Sequence, residues 1–97
     1  MKTIDETQFK ELIAFETLVV QFSASWCGPC KVLTKTIEAH EDTFENLIYK
    51  MDIDDVPELA QSLGIRSVPT LIRFDNKQET KRLVGVQGIE QLRELTV

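Results

Sequence analysis

The stretch that most narrows the folds open to this chain is a strand, a turn and a helix in direct succession. Thr17-Leu18-Val19-Val20-Gln21-Phe22 is dense in β-branched and apolar residues and reads as a buried strand. Its apolar character is nearly continuous rather than alternating, which calls for cover on both faces of the sheet. Ala24-Ser25-Trp26-Cys27-Gly28-Pro29-Cys30 follows, and then a helical spacing that sets Cys30, Leu33 and Ile37 on one face. A central strand that leads straight into a helix points to an α/β architecture.

The rest of the chain agrees. Lys2–Ile4 is a short β-like start, and Asp5 with Gln8 three residues on suggests an N-cap with a reciprocal partner. The helix so opened carries Phe9, Leu12 and Ile13 at spacings of three and four. Leu47–Ile53 is a second central strand. Pro57 opens a short helix to Leu63, which Gly64 is placed to end. Thr70–Phe74 and Glu79–Val84 flank Asn76-Lys77 as a hairpin, and Ile89, Leu92 and Leu95 stripe a last helix. The predicted order is β-α-β-α-β-α-β-β-α: a central mixed β-sheet flanked by helices on both faces. Ninety-seven residues suit one domain, 1–97, and 42% hydrophobic residues give it a core.

Charge and cysteine usage exclude several functions. Eleven basic residues against 16 acidic ones leave −5, which speaks against nucleic-acid binding, since that needs a basic surface. Runs such as Leu18-Val19-Val20 are too short to cross a bilayer, so no membrane role is expected. The start, Met1-Lys2-Thr3-Ile4-Asp5-Glu6, turns acidic before any apolar stretch could act as a secretory signal, so the expected location is the cytoplasm. The acids concentrate at 36–58 (Glu38, Glu41, Asp42, Glu45, Asp52, Asp54, Asp55, Glu58), which reads as a solvated helix face and loops. The two cysteines, Cys27 and Cys30, are too few for a disulfide scaffold. Even with the one histidine, His40, they cannot complete a four-ligand zinc site, and no metal is expected. Redox chemistry is the reading that remains.

The position of the pair suits that chemistry. Thiolate is the nucleophilic form, and a helix N-terminus offers partial positive charge and unpaired N–H groups. Cys27 is placed where that field is strongest and where the chain is expected to be most exposed. Cys30 lies one turn on, within reach. Gly28 keeps bulk away from an approaching substrate, and Pro29 opens a helix without losing a hydrogen bond.

With Trp26-Cys27-Gly28-Pro29-Cys30-Lys31, Ser67-Val68-Pro69-Thr70 and the Val84-Gly85 step, the chain resembles the thioredoxin family over essentially its whole length. The resemblance implies the thioredoxin fold and a redox carrier with protein-disulfide reductase activity, in which Cys27 attacks and Cys30 resolves. It implies a cis peptide bond before Pro69, which exposes the Val68 backbone to a substrate strand. The implied apolar rim is Trp26, Gly28, Pro29, Ile53, Val68, Pro69, Val84, Gly85 and Val86, with Lys50 beneath the active site. The implied partners are protein disulfide substrates and a thioredoxin reductase that draws electrons from NADPH through a flavin. The domain itself is expected to be a monomer with no bound cofactor.

Four positions depart from the family pattern. Gln21 stands where the family usually has a buried aspartate, and a neutral amide cannot take the proton that Cys30 must lose. Ser23 replaces a frequent tryptophan, Lys35 a helix-kinking proline and Lys77 a hairpin glycine. Two other functions use the same surface: a thiol oxidant or disulfide isomerase, and an accessory binding subunit without redox turnover. Gly28-Pro29 between the cysteines favours the reductase. Retained biological activity in a double Cys→Ala variant would favour the binding subunit.

Overall fold

The computed structural model describes residues 1–44 and 47–97. In chain order the elements are β1 Lys2–Thr3, α1 Glu6–Phe15, β2 Leu18–Ser23, α2 Gly28–Ala39, α3 Glu41–Phe44, β3 Ile48–Asp52, α4 Pro57–Ser62, β4 Thr70–Asp75, β5 Gln78–Val84 and α5 Ile89–Thr96. The strands form one sheet in the order β1-β3-β2-β4-β5. β3 runs parallel to both β1 and β2, while β4 is antiparallel to β2 and β5. This is the mixed sheet the sequence predicts.

All six residues of β2 are buried, which explains their near-continuous apolar character. Even positions of β2 (Leu18, Val20, Phe22) pack with Phe9, Met51, Ile72 and Phe74 on the α1 side. Phe9 meets Phe74 edge-on, with ring centroids 5.0 Å apart. On the other face Val19 packs with Leu33 and Ile37 of α2, with Ile48 and Leu71, and with Leu92 and Leu95 of α5. Period-two alternation therefore feeds two separate cores from one strand.

Local chemistry sets the element ends. Asp5 accepts from the Gln8 amide at 2.8 Å, and the Gln8 side chain accepts from the Asp5 amide at 3.0 Å, closing the reciprocal cap. Gly64, at φ +69°, terminates the turn after α4. The hairpin turns on Asn76 and Lys77, both at positive φ (51° and 70°), as a tight two-residue loop that follows the sheet's twist requires.

The structure adds one element to the predicted order. α2 stops at His40, and a separate turn, α3, runs on from Glu41. Glu41 and Asp42 in its first turn suit a helix N-terminus, and Phe44 anchors it in the α2–α5 core. One apolar residue in four gives no periodicity to read. His40 is exposed. Glu45 of the acidic stretch lies outside the described residues.

Candidate functional site

Cys27 caps α2. Its backbone is extended (φ −91°, ψ 110°), and its Sγ accepts the Cys30 amide N–H at 3.1 Å. The sulfur thus occupies the place a serine or aspartate oxygen takes at other helix starts, facing the unpaired amides of the first turn. Pro29 sits in that turn, where its missing N–H costs nothing. Cys27 and Cys30 are joined as a disulfide, with Cα atoms 5.3 Å apart.

One expectation is corrected here. Cys27 is not exposed: it is 4% accessible and Cys30 is 1%. Ala24, Ile53 and Val68 close around the pair, and the Val68 carbonyl oxygen lies 3.7 Å from Cys27 Sγ. A motif at a helix start fixes the direction of the cysteine, but a loop remote in sequence decides how far it is covered.

That loop has the anticipated form. The Val68–Pro69 bond is cis. Pro69 and Thr70 are buried, Thr70 Oγ1 donates to the Ser67 carbonyl at 2.7 Å, and the Gly85 amide donates to the Pro69 carbonyl at 2.9 Å. The last bond brings Val84, Gly85 (φ +91°) and Val86 alongside the cysteines' loop. Val84 and Val86 are 58% and 47% exposed, and Trp26 is 68% exposed, unusual values for large apolar side chains. A Cβ added at Gly28 would meet nothing within 4 Å, so the chain beside Cys27 faces open space there. Ile53 is half-buried against the pair. Together these residues form an apolar rim around a nearly buried disulfide.

Lys50 lies apart from the rim. It is half-buried in β3, abreast of Gln21 in the register. The hydrogen bonds described at the cysteines come from the Cys30 amide and from Gln21, not from Lys50. Gln21 itself is fully buried (0% exposed), and its Nε2 donates to the Cys30 carbonyl at 3.3 Å and to Thr34 Oγ1 at 3.1 Å.

Two contributors escaped the sequence reading. Asp54 Oδ2 accepts from Trp26 Nε1 at 3.0 Å and so fixes the exposed indole beside Cys27. In the sequence Asp54 reads as part of a solvated acidic loop, and nothing local separates it from Asp52 or Asp55. Thr34 lies four residues after Cys30 on the same helix face, a spacing from which its place could have been read. Among the described residues no three His, Cys, Asp or Glu side chains converge as a metal-holding group, and no helix is long and apolar enough to cross a membrane.

The chemistry available is two-electron exchange between a dithiol and a disulfide. The thioredoxin family model matches residues 1–96. A thioredoxin of Chlamydia caviae is 39% identical over 93 residues, covering 95% of this chain and 91% of that protein. A bifunctional thioredoxin reductase/thioredoxin of Mycobacterium leprae is 34% identical over 91 residues, 91% of this chain and 20% of that longer protein. The solved thioredoxin of Plasmodium falciparum superposes with a TM-score of 0.86 at 30% identity, covering 97% of each chain. A capped cysteine pair, a cis-proline loop beside it and this breadth of likeness lead to one conclusion: the chain belongs to the thioredoxin family.

Proposed function

We propose that this protein is a monomeric, cytoplasmic, cofactor-free protein-disulfide reductase in which Cys27 attacks and Cys30 resolves. The observation that carries the assignment of roles is that Cys27 Sγ accepts the Cys30 amide at the head of α2. That amide and the helix dipole stabilise negative charge on Sγ of Cys27, while Cys30 sits a turn deeper. The Cys27 thiolate attacks one sulfur of a substrate disulfide. A Cys27–substrate bond forms, and the other substrate sulfur leaves as a thiolate and takes a proton. The Cys30 thiolate then attacks Cys27 Sγ, the second substrate thiolate departs, and the Cys27–Cys30 disulfide remains. The protein has given up two electrons and the substrate has gained them.

The apolar rim of Trp26, Gly28, Pro29, Ile53, Val68, Pro69, Val84, Gly85 and Val86 suits a partly unfolded peptide, with the Val68 backbone as its strand-like edge. Lys50, abreast of Gln21, lies outside this contact surface and serves the site from below. A thioredoxin reductase, drawing on NADPH through a flavin, returns the electrons. The Mycobacterium leprae relative, whose printed name joins a reductase to a thioredoxin, supports that partnership.

The test is trapping. A Cys30→Ser variant mixed with an oxidised protein substrate should accumulate a mixed disulfide through Cys27, whereas Cys27→Ser should form none. Equal trapping by both variants would overturn the assignment. Loss of turnover with full biological activity in the double variant would favour an accessory binding subunit.

A further inference from the structure

We infer that Gln21 is a positioning residue for the resolving step, gripping the main chain of Cys30 so that its thiol meets Cys27. The inference rests on the assignment of Cys30 as the resolving thiol. A buried primary amide is costly unless its hydrogen bonds are made. Gln21 spends both N–H groups on one short segment of α2, the Cys30 carbonyl at 3.3 Å and Thr34 Oγ1 at 3.1 Å. Thr34 Oγ1 in turn donates to Gln21 Oε1 at 3.4 Å. The amide therefore does nothing but tie the middle of β2 to the first turns of α2, at the residue whose sulfur must move a short distance with the right aim. In-line attack of sulfur on sulfur is sensitive to such placement, because a misplaced reacting group loses rate steeply.

The surroundings favour a tether over a proton carrier. The Gln21 amide reaches the Cys30 carbonyl, not its sulfur. Facing Gln21 from the neighbouring elements are Lys50 of β3, with Asp52 one step along the same strand face, Leu71 of β4, and the cysteines with Thr34 on α2. An amide does not titrate, so the grip has the same strength at every pH at which the protein is folded.

Stopped-flow reduction of a chromophoric aryl disulfide separates the steps, because one aryl thiolate is released when Cys27 attacks and the second when Cys30 resolves. Gln21→Met fills the volume without donors. It should leave the first phase within twofold of wild type and slow the second about tenfold. Gln21→Glu supplies the sharper readout. Burial favours its protonated form and Lys50 abreast of it the ionised one; the protonated form donates to the Cys30 carbonyl as the amide does, whereas the ionised form cannot. Its second-phase rate relative to wild type at the same pH should be near one at pH 5 and fall about tenfold by pH 8. Taking the ratio removes the pH dependence that the two proteins share. A Gln21→Met second phase within twofold of wild type, in protein shown folded by near-ultraviolet circular dichroism, would overturn the inference. So would a Gln21→Glu ratio that rises with pH, since that marks a base at this position. If Gln21→Met does not fold, the Gln21→Glu profile decides alone. A wild-type protein with no second phase would instead overturn the assignment of Cys30.

Discussion

Among the described residues, Asp75 holds the most densely bonded carboxylate. It accepts from Arg73 Nε at 2.9 Å, from Thr17 Oγ1 at 2.9 Å and from Thr80 Oγ1 at 2.5 Å. The Arg73 and Thr80 bonds lower its pKa from 3.8 to about 2. A carboxylate depressed on folding adds stability above its unfolded value, and that stability is lost as pH falls through the folded one. Wild type should therefore weaken between about pH 4 and pH 2, and Asp75→Asn should weaken less across the same window. Guanidinium midpoints at pH 7, 4 and 2.5 read the difference, and parallel curves would show that the network contributes nothing. At the same scale, limiting iodoacetamide added to the reduced protein should label Cys27 before Cys30, which peptide mapping would reveal. Faster labelling of Cys30 would reverse their roles. Sequence made the cysteines and Pro69 legible because their spacing is short and chemically specific. It could not give the partners of Gln21 or Asp54, because each bond joins elements whose register only the folded chain defines.

Turns and caps were legible where one residue type suits one backbone geometry. Asp5 and Gln8 form the predicted box, and replacing Asp5 by Ala should cost about 1 kcal/mol of stability. The hairpin holds the clearest local conflict, since Lys77 keeps φ at +70°. A side chain in that region costs roughly 1–2 kcal/mol, offset in part by the entropy a glycine loses on folding. Lys77→Gly should thus raise stability by about 0.5–1 kcal/mol, seen as a melting temperature several degrees higher. An unchanged or lower melting temperature would mean that Lys77 gains from contacts what it loses in backbone strain. α3 stayed hidden because a four-residue turn has no period, and because its anchor, Phe44, packs into a core built from elements distant in sequence. Lys35 leaves α2 unbroken from Gly28 to Ala39, so the active-site helix does without the kinking proline of the family pattern.

At the scale of the molecule, β2 is buried along its whole length between two cores, whereas β5 is largely exposed at the sheet's edge. Hydrogen exchange should follow that gradient: β2 amides should open only with global unfolding, and β5 amides by local fluctuation. Equal protection in the two strands would contradict it. The topology was legible because helical crossovers impose parallel neighbours and a short hairpin imposes an antiparallel one. The order β1-β3-β2-β4-β5 has a consequence for how the chain is made. On a ribosome, β1, β2 and β3 emerge first and can assemble one side of the sheet. The other flank of β2 stays open until β4 arrives, with Leu18 waiting for Phe74. Until then the nascent chain presents the unpaired backbone edge of its most apolar strand, the state most open to wrong pairing. Completion of the sheet is therefore a late event in translation, and the loop at 67–69, which immediately precedes β4, joins the cysteines at the same moment.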